Sequence, residues 1–439
     1  VPPESAPTPS GSLGPASPRR TPIGADRAPL RTSCDAIERL SAVPLAVRAT
    51  AVDAWWASLE SLPLVGEPRT VDGVDCVPVT FATRGEHDEA MVYVNSVTDR
   101  HRENVVPALM ERLDGTDLWH LTWWLPSDLM ASYKIVHGAI PRNAGRARPG
   151  WRRIHERGRA DPLNGHALVD PLGEESSVLV GPHSSSHPAW VPGDSTRTGD
   201  PVVVRELAPH DPYLDTVRPV WLHSSAEATW LVVLFDGEHW RLHLPAALAE
   251  WGRDDVAVAM VSSVSPQARG EVLPVPERAA ALVEHTVLPA VEEATGRSWA
   301  ADRIVVSGQS FGGLAAASIA VRRPDLARTA VAQSSSFWFR PGIEPVRGAC
   351  EPGELVESLG AGADASTSRV HLTWGSEEED IAFVGAAFAE AAYAAGAAVT
   401  VREYAGGHDY AWWRSGLLDG LDHVLGEGPS PADPTVASS

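Results

Sequence analysis

Cysteine is scarce: Cys34, Cys76 and Cys350 are the three in a chain of 439 residues. Their wide spacing fits neither a disulfide framework nor a zinc ligand set, and it predicts buried free thiols in a reducing compartment. Positive charge is also short. Against 57 Asp and Glu stand 36 Lys and Arg, a formal net charge of −21. A field of that sign repels nucleic acid and anionic membrane, so neither is an expected partner. A membrane span needs an uninterrupted apolar run of about 18 residues, and the chain has none. It also lacks a signal-peptide core, since Arg19-Arg20 is followed by Thr-Pro-Ile-Gly-Ala-Asp-Arg, and the expected location is the cytoplasm. No His/Cys/Asp cluster has ligand spacing, so neither a protein-held metal nor a cofactor is expected.

Hydrophobic residues make up 44% of the chain and charged residues 21%, the balance of a soluble protein with sizeable cores, and the length predicts two domains. Residues 1–30, rich in Pro, Ala, Ser and Arg, read as a disordered leader, and 427–439 as a disordered tail. Between 34 and 190, an amphipathic helix is expected over Val47–Leu62. It is followed by β-rich runs at Cys76–Phe81, Ala90–Asn95, Leu118–Leu125 and Ser132–Val136, separated by turn residues. Strands at that spacing predict an antiparallel β-sandwich. The segment 183–201, rich in Pro, Gly and Ser, reads as a linker.

From 202 to 426 strands alternate with helices. Strands are expected at Val202–Leu207, Arg218–Leu222, Thr229–Phe235, Val256–Val261, Arg303–Val306, Ala330–Gln333, Val370–Trp374 and Val399–Tyr404, and helices at 245–251, 276–294, 312–322 and 381–395. That alternation implies a mostly parallel sheet covered on both faces.

Within this half, Gly308-Gln-Ser-Phe-Gly312 is a weak match by itself, yet the β-branched run Arg303–Ser307 precedes it and a helix-forming run follows it. Strand, tight turn and helix are the context of a nucleophile elbow, so Ser310 is the expected nucleophile of a serine esterase on an α/β-hydrolase fold. A serine hydroxyl needs a base later in the chain. His371 falls inside a strand and His423 in the terminal helix, whereas His408 follows a strand in the loop Ala405-Gly-Gly-His-Asp409, which makes it the expected base. The acid should lie after the preceding strand, where Glu377, Glu378, Glu379 and Asp380 all stand, with Asp409 a further possibility. The Phe311 N–H is one expected oxyanion donor, and the N–H of Gly237, in the turn after Thr229–Phe235, is the second.

With these residues placed, the chain resembles the enterochelin (enterobactin) esterase family. The resemblance rests on Leu234–Trp240, Val306–Leu314, Gln333–Trp338, Gly406–Asp409 and Trp412–Leu418 in the second half. In the first half it rests on Val92–Asp99, Gly115–Trp119, Ser132–Lys134 and Ala160–Asn164. It implies a cytoplasmic hydrolase that opens the trilactone of a ferric catecholate siderophore and so releases iron, with iron entering only as part of the substrate. It maps the triad onto Ser310, His408 and, among the four carboxylates, Glu378. It implies substrate contacts from the region of Arg269, where the spacing of the family motif is altered. A trianionic ligand also calls for a cation, for which Arg414 is a second candidate, and Trp240 is a third expected contact. The basic stretch Arg142–Arg159, with Trp151 inside it, is either a solvated face or a rim that attracts an anionic catecholate. Two other functions fit the same residues: an esterase acting on another natural-product lactone or peptide ester, and a non-catalytic binding protein.

Overall fold

The computed structural model describes residues 21–190, 203–343, 346 and 348–426. Residues 1–20 of the expected leader, 191–201 of the linker and 427–439 of the tail lie outside the described residues.

The first half is built on two antiparallel sheets. In one, Val74–Arg84 pairs with Leu118–Pro126 from Cys76↔Pro126 to Arg84↔Leu118. In the other, Met130–His137 lies between Ala90–Val94 and Glu175–Val180. Alternation sends Val77, Val79 and Phe81 to one side, where they meet Trp123 and Tyr133 in the core between the sheets.

Two expectations for this half are corrected. The helix placed at Val47–Leu62 runs from Leu45 to Ala57, and a separate helix, Asp35–Ala42, precedes it. Pro44 separates the two by holding Val43 in an extended conformation, and the Ser58 hydroxyl closes the second helix onto the Trp55 carbonyl at 2.7 Å. Residues 21–30 are not disordered leader. Thr21 and Ala28 are buried, the Leu30 carbonyl accepts the Trp124 N–H at 2.9 Å, and Thr32 donates to Thr122 at 3.1 Å. The segment is ordered by a local turn, in which Gly24 donates to the Ala28 carbonyl at 2.8 Å, by the Thr21 hydroxyl on Glu377 at 2.5 Å and by pairing of Leu30 with Trp124, none of which leaves a hydrophobic periodicity.

The second half holds one eight-stranded sheet. Its strands in chain order are β1 Val204–Leu207, β2 Val220–His223, β3 Trp230–Phe235, β4 Val256–Val261, β5 Ile304–Gln309, β6 Thr329–Gln333, β7 Arg369–Gly375 and β8 Ala398–Tyr404. The spatial order is β1-β2-β4-β3-β5-β6-β7-β8. Only the first two strands run antiparallel to their neighbours. This is the α/β-hydrolase arrangement. Strands β4 and β5 are buried along their whole length, as parallel strands covered on two faces must be. Leu231, Val233 and Phe235 face one helical layer, while Val232 and Leu234 face the other. The expected helix 276–294 is interrupted by a π-helical turn at Val283–Val287, just before Pro289, which has no N–H to continue the ladder.

The two halves join along the His408 loop. Met130 donates its N–H to the Ala405 carbonyl at 2.8 Å, and Asn95 and Ser96 bond the main chain of His408.

Candidate active site

Ser310 stands between β5 and the helix Phe311–Arg322 at φ 58°, ψ −116°. A non-glycine residue with φ in that region is strained and persists only where its surroundings hold it. They do so here. Ser310 N–H donates to the Gln333 carbonyl at 3.0 Å, and the Ser310 carbonyl accepts from Leu314 and Ser336 at 3.0 and 3.1 Å. The turn is tight enough that a Cβ on Gly308 would come within 2.6 Å of the Gly312 backbone. The Ser310 hydroxyl lies 3.2 Å from Ser336 Oγ, and it is this hydroxyl, rather than the imidazole, that it contacts.

His408 and Glu378 meet at the ends of β8 and β7. His408 Nδ1 is 2.6 Å from Glu378 Oε1. The other carboxylate oxygen, Oε2, accepts from Ser334 Oγ at 2.6 Å and from the Gly375 N–H at 2.8 Å. Ser334 in turn accepts the Trp413 indole N–H at 2.8 Å, and the Trp413 ring sits edge-on to the imidazole with centroids 4.7 Å apart. A carboxylate that accepts from Ser334 and Gly375 holds its remaining oxygen toward Nδ1. That contact fixes the proton on Nδ1 and leaves Nε2 to act as base.

Beneath these groups runs a second buried chain. Trp240 Nε1 donates to Gln309 Oε1 at 3.2 Å, Gln309 Nε2 to Gln333 Oε1 at 2.8 Å, and Gln333 Nε2 to the Trp413 carbonyl at 3.1 Å. It ties together the ends of β5 and β6 and the helix Tyr410–Leu425.

Ser310, Ser336, Trp338, Glu378 and His408 line one cavity of about 760 Å³. Its opposite wall comes from the first half and includes Ser96, Arg100 and Arg102.

The four consecutive carboxylates go four ways. Glu377 makes a fully buried ion pair with Arg100, Glu378 faces His408, Glu379 lies 3.5 Å from Arg27, and Asp380 accepts the Gly348 N–H at 2.7 Å. Asp409 is buried and makes no contact with the His408 ring. It caps its own helix through Ala411 and accepts the Ser132 N–H at 2.5 Å; burial pushes its carboxyl pKa up, against these donors. His371 is a sheet residue bonded to Thr400 at 2.8 Å, and His423 packs on it with ring centroids 4.9 Å apart.

The remaining expected site residues are dispersed. Gly237 opens the short helix Gly237–Trp240, where its N–H has no intrahelical partner, and a Cβ there would meet the Met260 carbonyl carbon at 2.5 Å. Close approach to β4 therefore requires this glycine. Its turn abuts the helix Phe311–Arg322, since a Cβ on Gly312 would reach Asp236 Oδ2 at 3.4 Å. Arg269 is held by Asp236 at 2.7 and 2.8 Å, with Phe311 under its guanidinium, and it is outside the Ser310 cavity. Trp240 and Arg414 line a second cavity. The basic stretch Arg142–Arg159 forms no stacking rim. Trp151 is buried against Tyr93 and donates to Asp99 at 2.8 Å, because the helix Arg148–Arg157 turns its apolar stripe to the core.

Sequence reasoning missed Ser334, Trp413, Arg102 and Trp338 as site residues. Ser334 and Trp338 fall inside the run Gln333–Trp338, Trp413 inside Trp412–Leu418, and Arg102 three residues beyond Val92–Asp99, so the quoted motifs were the available signal.

Comparison with known proteins gives a consistent picture. The model of the enterochelin esterase N-terminal region matches residues 78–190, and the Esterase model matches residues 221–424. The iron(III) enterobactin esterase of Dickeya dadantii is 32% identical over 421 residues, covering 87% of this chain and 94% of that protein. The iron(III) salmochelin esterase of Escherichia coli is 30% identical, covering 85% and 93%. The crystal structure of the Shigella flexneri enterobactin esterase in the presence of enterobactin superposes with a TM-score of 0.73 at 28% identity, covering 85% of this chain and 98% of that one.

Proposed function

This chain belongs to the enterochelin esterase family and is an ester hydrolase, and from that premise we propose that it opens the trilactone of a tricatecholate siderophore through Ser310, His408 and Glu378, releasing iron in the cytoplasm. The observation that carries the reading is the 2.6 Å contact between His408 and Glu378 at the edge of the cavity that holds Ser310.

In the reaction the Ser310 hydroxyl exchanges Ser336 for Nε2 of His408, which takes its proton as the oxygen attacks a seryl ester carbonyl. Glu378 keeps the imidazole in the required tautomer and faces the imidazolium that forms. The oxyanion is held by the Phe311 N–H, with the Gly237 N–H from the abutting turn as the second donor. His408 returns the proton to the leaving serine oxygen, and water deacylates the enzyme by the same path. Trp338 offers an aromatic wall for a catechol ring, and Arg102 a cation on the facing side. Iron is carried by the substrate.

Incubation with ferric and iron-free cyclic tricatecholates beside a simple aryl ester, read by mass spectrometry, tests this. Linear dihydroxybenzoyl-serine products are expected. Turnover of the aryl ester alone would assign the enzyme to another ester.

A further inference from the structure

Among its 36 basic residues the chain has a single lysine, Lys134. It lies on the strand Met130–His137 and lines a second cavity, of about 330 Å³, that meets the first at His408. We propose that this second cavity is a subsite for one catecholoyl arm of the substrate, the arm on the serine that leaves, with Lys134 and Arg414 donating to its oxygens. The inference rests on the trilactone reading above and adds to it where one arm goes.

Position is the first argument. His408 lines both cavities, whereas Ser310 lines only the larger. The base that accepts the serine proton must hand it to the leaving oxygen, so the leaving side of the ester lies over the imidazole. A cavity reached past His408 receives what that oxygen carries.

Chemistry is the second. Trp240, Tyr410 and Trp413 supply aromatic surface, with Tyr410 and Trp413 edge to face at 4.8 Å, and Leu168 closes the other side. Lys134 and Arg414 bring positive charge into a chain of net charge −21. Among the described residues neither makes an ion pair, and Arg414 Nε is buried with no hydrogen-bond partner. Burial lowers the Arg414 pKa, which is the sign of a desolvated cation. Of the three acids that line the cavity, Asp409 is engaged by the N–H groups of Ser132 and Ala411 and Asp170 by those of Leu172 and Glu174, while Glu174 stands on the wall with them. Asp409 is the one carboxylate whose charge reaches Arg414, with no ion pair between them, and an occupant with electron-rich oxygens can meet the unpartnered Nε. Catechol oxygens are such acceptors, and their ring matches the aromatic walls.

Size is the third. A volume of about 330 Å³ is at the small end for ligand sites, enough for one ring with its amide and serine, while the larger cavity takes the remainder.

The single lysine makes the test selective. Acetylation of Ser310→Ala protein by an amine-reactive ester is followed at the Lys134 peptide by mass spectrometry, with the N-terminal amine as internal reference. The probe is 2,3-dihydroxy-N-benzoyl-serine. Saturating probe is expected to slow labelling of Lys134 about tenfold and leave the N-terminus unchanged. In the parallel arm, Lys134→Met raises KM for the iron-free cyclic tricatecholate about tenfold and leaves kcat within about threefold, as loss of uniform binding does. Unprotected labelling, or an unchanged KM, overturns the subsite. Protection is read without hydrolysis, so the trilactone reading fails separately, if the wild-type protein leaves tricatecholates intact.

Discussion

Trp413 donates its indole N–H to Ser334 Oγ at 2.8 Å, and that bond sets the direction of the polar chain behind the base. An indole nitrogen is a donor only, so the Ser334 oxygen accepts from it and the single hydroxyl proton goes to Glu378. Removing either hydrogen-bonding group loosens the carboxylate, and Trp413→Phe keeps an aromatic ring on the wall of the second cavity. Ser334→Ala and Trp413→Phe are each expected to lower kcat about tenfold, a loss of about 1.4 kcal/mol, with KM nearly unchanged. The double variant should be no slower than the slower single, since both act through one hydroxyl. A steady-state double-mutant cycle checks this, and multiplying losses would show two separate roles.

Adjacent glutamates should fail differently. Glu378→Gln removes the charge facing His408 and should cost kcat a factor of about 10³ to 10⁴ while the fold stays intact. Glu377→Gln breaks the buried pair with Arg100 and should cost about 3 kcal/mol of stability. Denaturant midpoints and kcat, measured on both variants, separate the two. A stable, inactive Glu377→Gln enzyme beside an active Glu378→Gln enzyme would shift the acid by one residue.

Acid sensitivity should trace in part to His371. Its burial on β7, with His423 and Arg402 adding to the effect, pushes its pKa down from 6.5 to about 3. Between those values the unfolded chain binds the proton and the folded protein does not, so this contribution is present above pH 6.5 and is lost as pH falls toward 3. His371→Gln should therefore lose less stability than the wild type between pH 7 and pH 5. Urea midpoints at the two pH values are the measurement, and equal losses would contradict the assignment.

The elbow was legible because its determinants are local: a β-branched run, small residues where backbones approach, then a helix-forming run. His408 was legible by its order in the chain and its glycine loop. The acid was not readable from local chemistry. Glu377, Glu378, Glu379 and Asp380 are alike as a string, and what separates them is Arg100, Arg27, His408 and the Gly348 N–H, brought from distant parts of the chain. The family pattern pointed to Glu378, which is the one of the four that lies against His408. Ser334 escaped for the same reason, being one of three consecutive serines with only the fold to distinguish it. Arg269 was expected near substrate from the family resemblance and the need for a cation, and nothing in the sequence shows that Asp236 will hold it. Residues 21–30 were read as leader because a local turn and a hydroxyl contact to the distant Glu377 leave no periodic signature.

The central claim is that Ser310 attacks the trilactone ester. Single-turnover mixing of the Ser310→Ala protein with a cyclic tricatecholate, quenched over time and resolved by mass spectrometry, tests it most directly. The account predicts that the trilactone stays closed, with the rate down by at least about 10³, while wild-type protein passes through an acyl-enzyme on the Ser310 peptide. Ring opening at the wild-type rate by the alanine variant would contradict it.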